Sequence, residues 1–591
     1  MPTTRLLTAV LLLGVAATTA MAAPAVRRPN VVLIMTDDQG HGDLGVHGNP
    51  ILRTPHLDAF SRQSVDMVQF YVSPVCAPTR ASLMTGRYNY RTGVVDTYRG
   101  RAMMYSEEVT LAEMLAEAGY RTGIFGKWHL GDNYPLRPTD QGFSEALVHR
   151  GGGVGQPADP PGNTYFDAVL QHNDKTVKSK GYCSDVFTDG AIDFIDAHQR
   201  DPFFVYLAYN CPHTPLQVAD RDYLPYKKKN LAHDQFPAVG YPLRGKADQD
   251  ETARVYGMVS NIDDNLGRLF AKLDALKLTD DTIVIFLTDN GPQQERYKSG
   301  LRGRKATAFE GGIRVPCFIR WPVRLQPLSK VDRIAAHIDI APTLLEACGV
   351  AKPTGVNFDG KSLMPLLTGQ ADEWPDRTLY FQSHRGDVPE LYRNAAARSQ
   401  RYKLVQTEGS FGKPMESDPV FELYDMLSDP FEQNNLANEY PDILAKLKQG
   451  YENWIRDVGG TRGYAPPRIH LGTPHENPVV LTRQDWRANG PGWGLTGHWE
   501  VQVAEAGTYD IMLRFATVEE AGATAHVTLT PATDDVQARE TNAWDAGIPG
   551  ACDRHTFRGV RLGPGPARLD AWIARGNESV GVHYVDVQRI D

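Results

Sequence analysis

The sequence VVLIMTDDQG at residues 31–40 indicates both the fold and the position of a site. Its five consecutive apolar residues are typical of a strand buried on both faces, as in a parallel sheet covered by helices. A second run of this kind, IVIFL at residues 283–287, is followed by TDNG at 288–291. Because ligands of open α/β sheets bind at the carboxyl ends of the strands, we expect the polar residues after both runs to meet.

Oxygen-bearing side chains follow these two strands: Asp37 and Asp38 after the first, Asp289 and Asn290 after the second. Such residues are also common turn formers. Their matched placement nevertheless favours a metal site, because adjacent carboxylates repel one another unless a cation compensates them. Oxygen ligands without thiolate or imidazole favour calcium or magnesium over zinc.

Basic side chains are expected at the same edge of the sheet. The strand RTGIF at 121–125 leads into Lys127 and His129, and FFVYLA at 203–208 leads to His213. Each histidine could instead be structural, and Lys305, in the segment GLRGRKATAFEGGIRVP at 300–316, could be a solvated charge. Together these groups suit an anionic substrate.

Helical patterns at residues 109–118, 251–276 and 342–347 alternate with these strands and predict a layered α/β domain with helices on both faces. A small α+β lobe with a closing helix at 442–454 follows. The segment GGTRGYAPP at 459–467 then marks a domain boundary.

Short alternating runs beyond residue 470 predict an appended all-β sandwich. Five tryptophans lie in this region, where they either fill the core or stack on sugar rings. They are Trp486, Trp493, Trp499, Trp544 and Trp572. The sandwich is therefore a candidate carbohydrate-binding module, although core packing is the simpler interpretation.

The run SPVCAPTR at residues 73–80, continued by ASLMTGRYNYRTG at 81–93, resembles the signature of the type I sulfatases, arylsulfatase-like members of the alkaline phosphatase superfamily. The acidic and basic segments above are similar to those of the family and occur in the same order. The resemblance covers about residues 29–438. It implies an alkaline-phosphatase-like catalytic domain over 29–375, a C-terminal subdomain over 376–460 and, beyond the family, the β-sandwich over 470–591.

The resemblance also implies the roles of the site residues. Cys76 would be oxidised to formylglycine by a formylglycine-generating enzyme. One cation per chain, normally calcium with magnesium as the alternative, would be held by Asp37, Asp38, Asp289, Asn290 and the modified Cys76. Arg80, Lys127 and His129 would position and activate the aldehyde hydrate, whereas His213 and Lys305 would hold the sulfate.

The implied reaction is sulfuric ester hydrolysis on a sulfated carbohydrate or aryl sulfate. One hydroxyl of the hydrate attacks sulfur, His213 protonates the leaving oxygen, and His129 takes the proton of the second hydroxyl as sulfate leaves. Two alternatives are a phosphonate or phosphate-ester hydrolase with the same nucleophile and a catalytically idle glycan-binding protein.

The whole-chain composition limits the partners and the compartment. The net charge of −9 over 591 residues is dispersed, which argues against a nucleic-acid partner. Residues 1–22 read as a signal peptide, and its apolar run is too short for a membrane anchor. We therefore expect a periplasmic or secreted protein without a membrane span. Six cysteines are too few for a disulfide framework.

Overall fold

A ten-stranded mixed sheet forms the centre of the catalytic domain. The computed structural model describes residues 28–371, 374–490, 492–532 and 541–591, so the predicted signal peptide lies outside the described residues. The strands are, in spatial order, Lys330–Val331, Val65–Met67, Cys317–Arg320, Thr282–Thr288, Asn30–Thr36, Phe203–Ala208, Arg121–Lys127, Glu145–His149, Val169–His172 and Lys175–Lys178.

The four strands predicted from sequence are neighbours in this sheet and run parallel. Their carboxyl ends therefore lie at one edge. Strand Asn30–Thr36 is buried along its whole length. Val31, Leu33 and Met35 face one apolar core, whereas Val32 and Ile34 face another, because alternate side chains of a strand point to opposite faces. The predicted α/β class is confirmed.

Helices cover both faces of this sheet. The 27-residue helix Gln249–Ala275 is amphipathic, as the sequence pattern predicts, and packs its apolar side against one of the two cores. The other helices are Pro55–Arg62, Cys76–Thr85, Leu111–Glu117, Cys183–Ala197, Asp220–Lys227, Glu310–Ile313, Ile340–Ala347, Met364–Leu367 and Pro441–Gly460. Among the described residues, no helix is both long and apolar enough to span a bilayer.

Two smaller sheets flank the catalytic sheet. A three-stranded sheet consists of Arg314–Val315, Phe70–Tyr71 and Ala335–Ala336. The C-terminal lobe is an antiparallel sheet covered by helix Pro441–Gly460, with strands Leu379–Gln382, Ala395–Arg398, Tyr402–Gln406 and Glu422–Asp425. The domain boundaries at residues 375 and 460 stay predictions.

The last part of the chain is a β-sandwich with one core, which confirms the predicted all-β class. One sheet has seven strands: Ile469–Leu471, Arg487–Asn489, Thr496–Val503, Ala523–Pro531, Asn542–Ile548, Gly565–Arg575 and Glu578–Gly581. The other has four: Val479–Thr482, Gly507–Val518, Cys552–Leu562 and Tyr584–Arg589. Met103 and Leu136 of the catalytic domain join this core, so the two parts share packing.

Two of the five sandwich tryptophans, Trp486 and Trp499, are fully buried in this core and cannot bind sugar.

All six cysteines of the chain are unpaired.

A buried ion triad joins the lobe to the catalytic domain. Lys403 Nζ lies 3.0 Å from Glu310 Oε1 and 2.7 Å from Glu432 Oε1, and all three side chains are inaccessible to solvent. Removing the cation leaves two buried carboxylates facing each other, and breaking a buried pair typically costs about 3–5 kcal/mol.

We therefore expect Lys403→Met to lower the free energy of unfolding by about 3–5 kcal/mol, measured by urea denaturation. Arg401→Met is the matched control, because Arg401 pairs with Asp425 at 2.9 Å with 57% of its side chain exposed. That exposed pair should contribute less than about 1 kcal/mol. Equal losses of unfolding free energy in the two variants would show that the buried triad does not stabilise the junction between the lobe and the catalytic domain.

Candidate active site

The two acidic segments meet at the carboxyl edge of the sheet. Thr36 and Thr288 are register partners on adjacent parallel strands, so the residues that follow them are brought side by side. The Asp38 backbone N–H donates to Asp289 Oδ1 at 3.2 Å, and Asn290 Nδ2 donates to Asp38 Oδ1 at 2.8 Å. These side chains are fully buried.

Three buried acceptor oxygens in this cluster have no hydrogen-bond donor within the described residues: Asp37 Oδ1, Asp38 Oδ2 and Asn290 Oδ1. Cys76 Sγ and carboxylate oxygens of Asp37 and Asp289 lie within 4.8 Å of one another. A buried acceptor without a donor costs free energy, and a cation would satisfy all three. The oxygen atoms of this cluster therefore fit a hard divalent cation.

Each carboxylate of the cluster also forms a close ion pair with a basic side chain. Lys127 Nζ lies 2.6 Å from Asp37 Oδ2, Lys305 Nζ lies 2.6 Å from Asp38 Oδ1, and Arg80 Nη2 lies 2.8 Å from Asp289 Oδ2. Arg80 Nη1 donates in addition to the Lys127 carbonyl at 2.9 Å. The predicted basic residues are thus brought to the acidic ones, and their charges offset the cost of burial.

The pKa values of two carboxyls diverge in this environment. Burial raises the pKa of Asp38, but Lys305 and His213 outweigh it and hold that pKa well below its usual range. Burial and the neighbouring Asp37 carboxylate raise the pKa of Asp289 to about 6, although Arg80 opposes them. A bound cation would favour the ionised form of both groups.

Cys76 is the first residue of helix Cys76–Thr85 and lies within this cluster. Its Sγ is 3.5 Å from His129 Nδ1. Burial raises the pKa of the Cys76 thiol, and the positive charges of Lys127 and Lys305 only partly oppose this effect. Because the thiolate is the nucleophilic form of cysteine, the unmodified side chain is a poor nucleophile at neutral pH.

The hydrogen bonds of His129 define its tautomer. Nε2 lies 2.7 Å from the Thr97 carbonyl oxygen, which can only accept, so Nε2 carries the proton. Burial and the nearby Lys127 lower the pKa of His129 well below its usual value. The ring is therefore neutral, and Nδ1 presents a lone pair to residue 76.

His213 has the opposite tautomer. Its Nδ1 donates to the Thr214 carbonyl, and Nε2 lies 3.8 Å from Asp38 Oδ2. Burial and Lys305 lower the pKa of His213 to about 3, so Nε2 carries no proton at neutral pH. A proton must reach Nε2 before this residue can donate one, and its role as an acid stays a prediction.

The cluster opens into a cleft of about 500 Å³, within the usual range of ligand sites. Cys76, His129, His213 and Lys305 are among the residues that line it. Further lining residues include Trp493, one of the five sandwich tryptophans, and several that the sequence motifs do not identify, among them Tyr98, Gly152, Gln156, Arg385 and Phe411.

Two residues near His129 and Lys127, namely Gly152 and His149, are not predicted from the sequence. A Cβ atom on Gly152 would lie 2.8 Å from the His129 ring, so the glycine-rich stretch around it permits a close approach. The unpredicted strand Glu145–His149 places His149 beside Lys127. Burial lowers the pKa of His149 to about 3, and its Nε2 has no hydrogen-bond partner within the described part of the chain.

Comparisons with known proteins agree with this geometry. The family model "Sulfatase" matches residues 29–350, and "N-sulphoglucosamine sulphohydrolase, C-terminal" matches residues 304–457. Human arylsulfatase A is 32% identical over 487 residues, covering 74% of this chain and 89% of that protein. Dog N-acetylgalactosamine-6-sulfatase is 30% identical over 412 residues, covering 64% and 72%.

A solved structure shows the same fold. Ps i-CgsB in complex with k-i-k-neocarrahexaose superposes with a TM-score of 0.62 at 26% identity, covering 74% of this chain and 95% of that one.

Proposed function

The chain belongs to the type I sulfatase family of the alkaline phosphatase superfamily and is a sulfuric ester hydrolase, and from that premise we propose that it removes sulfate from a sulfated carbohydrate. The single observation that supports sulfate ester hydrolysis most strongly is the position of Cys76. Its Sγ lies against His129 Nδ1 in a cluster of buried carboxylates and opens into a cleft lined by Lys305.

The family implies a metal, and we propose that the metal is one calcium ion. Asp37, Asp38, Asp289, Asn290 and residue 76 would hold it, because Asp37, Asp38 and Asn290 provide unpartnered buried oxygens and Asp289 and residue 76 lie beside Asp37. When bound, a divalent cation would supply positive charge that stabilises the negative charge developing during sulfate transfer. Magnesium is the alternative ion, since it takes the same oxygen ligands.

We propose that Cys76 is converted to formylglycine by a formylglycine-generating enzyme, the general chemistry of the family. When hydrated, the aldehyde provides two hydroxyl groups on one carbon, one to attack sulfur and one to release the sulfate. The raised pKa of the Cys76 thiol supports this conversion, because a protonated thiol is a poor nucleophile toward the sulfur of the substrate.

The unmodified residues of the site have separate tasks in this proposal. His129 Nδ1 accepts a proton from a hydroxyl on residue 76, since its lone pair already points there. Lys305 is held by Asp38 in the cleft lining, where it would contact the sulfate, whereas the buried Lys127 pairs with Asp37 and adds positive charge near residue 76. Arg80 fixes Asp289 and the end of the Lys127 strand, and so acts as a positioning residue.

A carbohydrate substrate is supported by the relatives and by the cleft. One relative is named for N-acetylgalactosamine 6-sulfate, and a similar solved structure holds an oligosaccharide. The cleft, with a volume of about 500 Å³, has room for a sugar ring and is lined by aromatic and basic side chains. We propose a periplasmic or secreted location, on the basis of the signal-peptide pattern in residues 1–22.

Replacing the nucleophile tests the reaction directly. Cys76→Ala should lower sulfate release by at least about 1,000-fold, because no group remains to form the covalent intermediate. Ion chromatography of sulfate released from N-acetylgalactosamine 6-sulfate and 4-nitrophenyl sulfate provides the measurement. Cys552→Ala, a change outside the cleft, should retain activity. Sulfate release by purified Cys76→Ala at the wild-type rate would refute the mechanism.

Calcium binding can be tested without activity. After dialysis against a chelator, added Ca²⁺ at a hundredfold excess over Kd should stabilise the protein by about 2.7 kcal/mol, seen as a rise in Tm. Asp38→Asn should abolish the rise because it removes a ligand charge, whereas Asp193→Asn, at an exposed helical position, should keep it. An unchanged response in Asp38→Asn would place the ion elsewhere, and a larger response to Mg²⁺ would identify magnesium.

A further inference from the structure

A segment of the β-sandwich docks on a loop of the catalytic domain. We name residues 484–490 with Gly492 and Trp493 the docking segment, and residues 96–101 the cleft loop. The Gly100 backbone N–H donates to the Gln484 carbonyl at 2.8 Å, and Arg487 Nη2 donates to the Gly100 carbonyl at 2.8 Å. The loop is thus bonded to the docking segment on both sides of Gly100.

The approach at Gly100 requires a residue without a side chain. Its φ is 71°, and a Cβ atom there would lie 2.7 Å from the Asp485 carbonyl oxygen. This left-handed conformation and the close backbone contact both favour glycine. The catalytic domain is therefore shaped locally to receive the docking segment.

The docking segment also contacts a hydrogen-bond partner of His129. Gln484 is 2% exposed, and its Nε2 donates to the Thr97 carbonyl at 3.1 Å. That carbonyl also accepts a hydrogen bond from His129 Nε2–H. One oxygen of the cleft loop therefore joins the docking segment to the histidine that faces residue 76.

Trp493 extends the docking segment into the cleft. Its ring meets Tyr98 of the cleft loop edge to face, with centroids 5.4 Å apart, and both residues line the cleft that contains Cys76. Arg385 lies over the Tyr98 ring at 5.2 Å and forms an ion pair with Asp96 at 2.5 Å. Trp493 is half-buried, so part of its ring stays accessible to a ligand.

We propose that Trp493 binds the sugar ring that carries the sulfate, so that the β-sandwich completes the substrate site instead of acting as a separate binding module. This rests on the proposed function. A sugar ring presents apolar C–H faces, which pack on an aromatic face, while its hydroxyls stay available to the polar lining of the cleft. Of the sandwich tryptophans, all of which the structure describes, Trp493 is the one that lines this cleft.

The test compares Trp493→Ala with wild type on a panel of sulfated saccharides, including N-acetylgalactosamine 6-sulfate, and on 4-nitrophenyl sulfate. We expect kcat/KM for the best saccharide to fall about tenfold, mainly through a higher KM, because the contact to the ring is lost. Trp493→Phe keeps an aromatic face and should restore part of the loss.

Trp572→Ala is the matched control. Trp572 is another half-buried tryptophan of the sandwich, stacked on His526 at 4.9 Å and absent from the cleft lining. It should leave kcat/KM unchanged. Unchanged kinetics in Trp493→Ala, or equal losses in both variants, would overturn the proposal while the sulfatase function stands.

The wild-type results separate the two proposals. Hydrolysis of 4-nitrophenyl sulfate with no saccharide of the panel would overturn the sugar-ring assignment and the carbohydrate substrate, while sulfuric ester hydrolysis stands. Absence of sulfate release from every panel member, by protein whose residue 76 carries the aldehyde by mass spectrometry, would overturn the proposed function and this inference with it.

Discussion

The site depends on the neutralisation of three buried carboxylates. Asp37, Asp38 and Asp289 lie beyond the reach of solvent, where unpaired charges are too costly to persist. Each is therefore matched by a basic side chain from a different element: a strand end, a loop and a helix. Within the described part of the chain, the pairs still leave acceptor oxygens without donors, so the same arrangement that makes the residues compatible with burial also provides a place for a cation.

This arrangement is a consequence of the parallel sheet. Four strands that are far apart in sequence lie next to one another, and each delivers its polar residues at the same edge. Helix Cys76–Thr85 is buried along its length and places Arg80 against Asp289 while Cys76 faces His129. Most of the other site residues lie in loop segments that begin at the ends of these strands, so the sheet and the helix hold the site in place, which suits a reaction that depends on fixed electrostatics.

The β-sandwich contributes to the cleft that contains Cys76. The family models end at residue 457, yet Trp493 lines the cleft and Gln484 bonds to the carbonyl that orients His129. The sequence pattern leaves open whether its tryptophans bind sugar. Burial excludes Trp486 and Trp499 from sugar binding. The docking of the β-sandwich on residues 96–101, in contrast, brings Trp493 to the cleft.

The sequence by itself determined the strands, the acidic pairs and the cysteine motif, because these are local patterns: an apolar run of fixed length and the residues next to it. Only the tertiary structure decided the tautomers of His129 and His213, the orphaned oxygens of the cation site, and the contributions of Tyr98, Arg385 and Trp493. These depend on contacts between residues as much as several hundred positions apart, such as Gln484 with Thr97. Packing creates such contacts, and no short stretch of sequence encodes them.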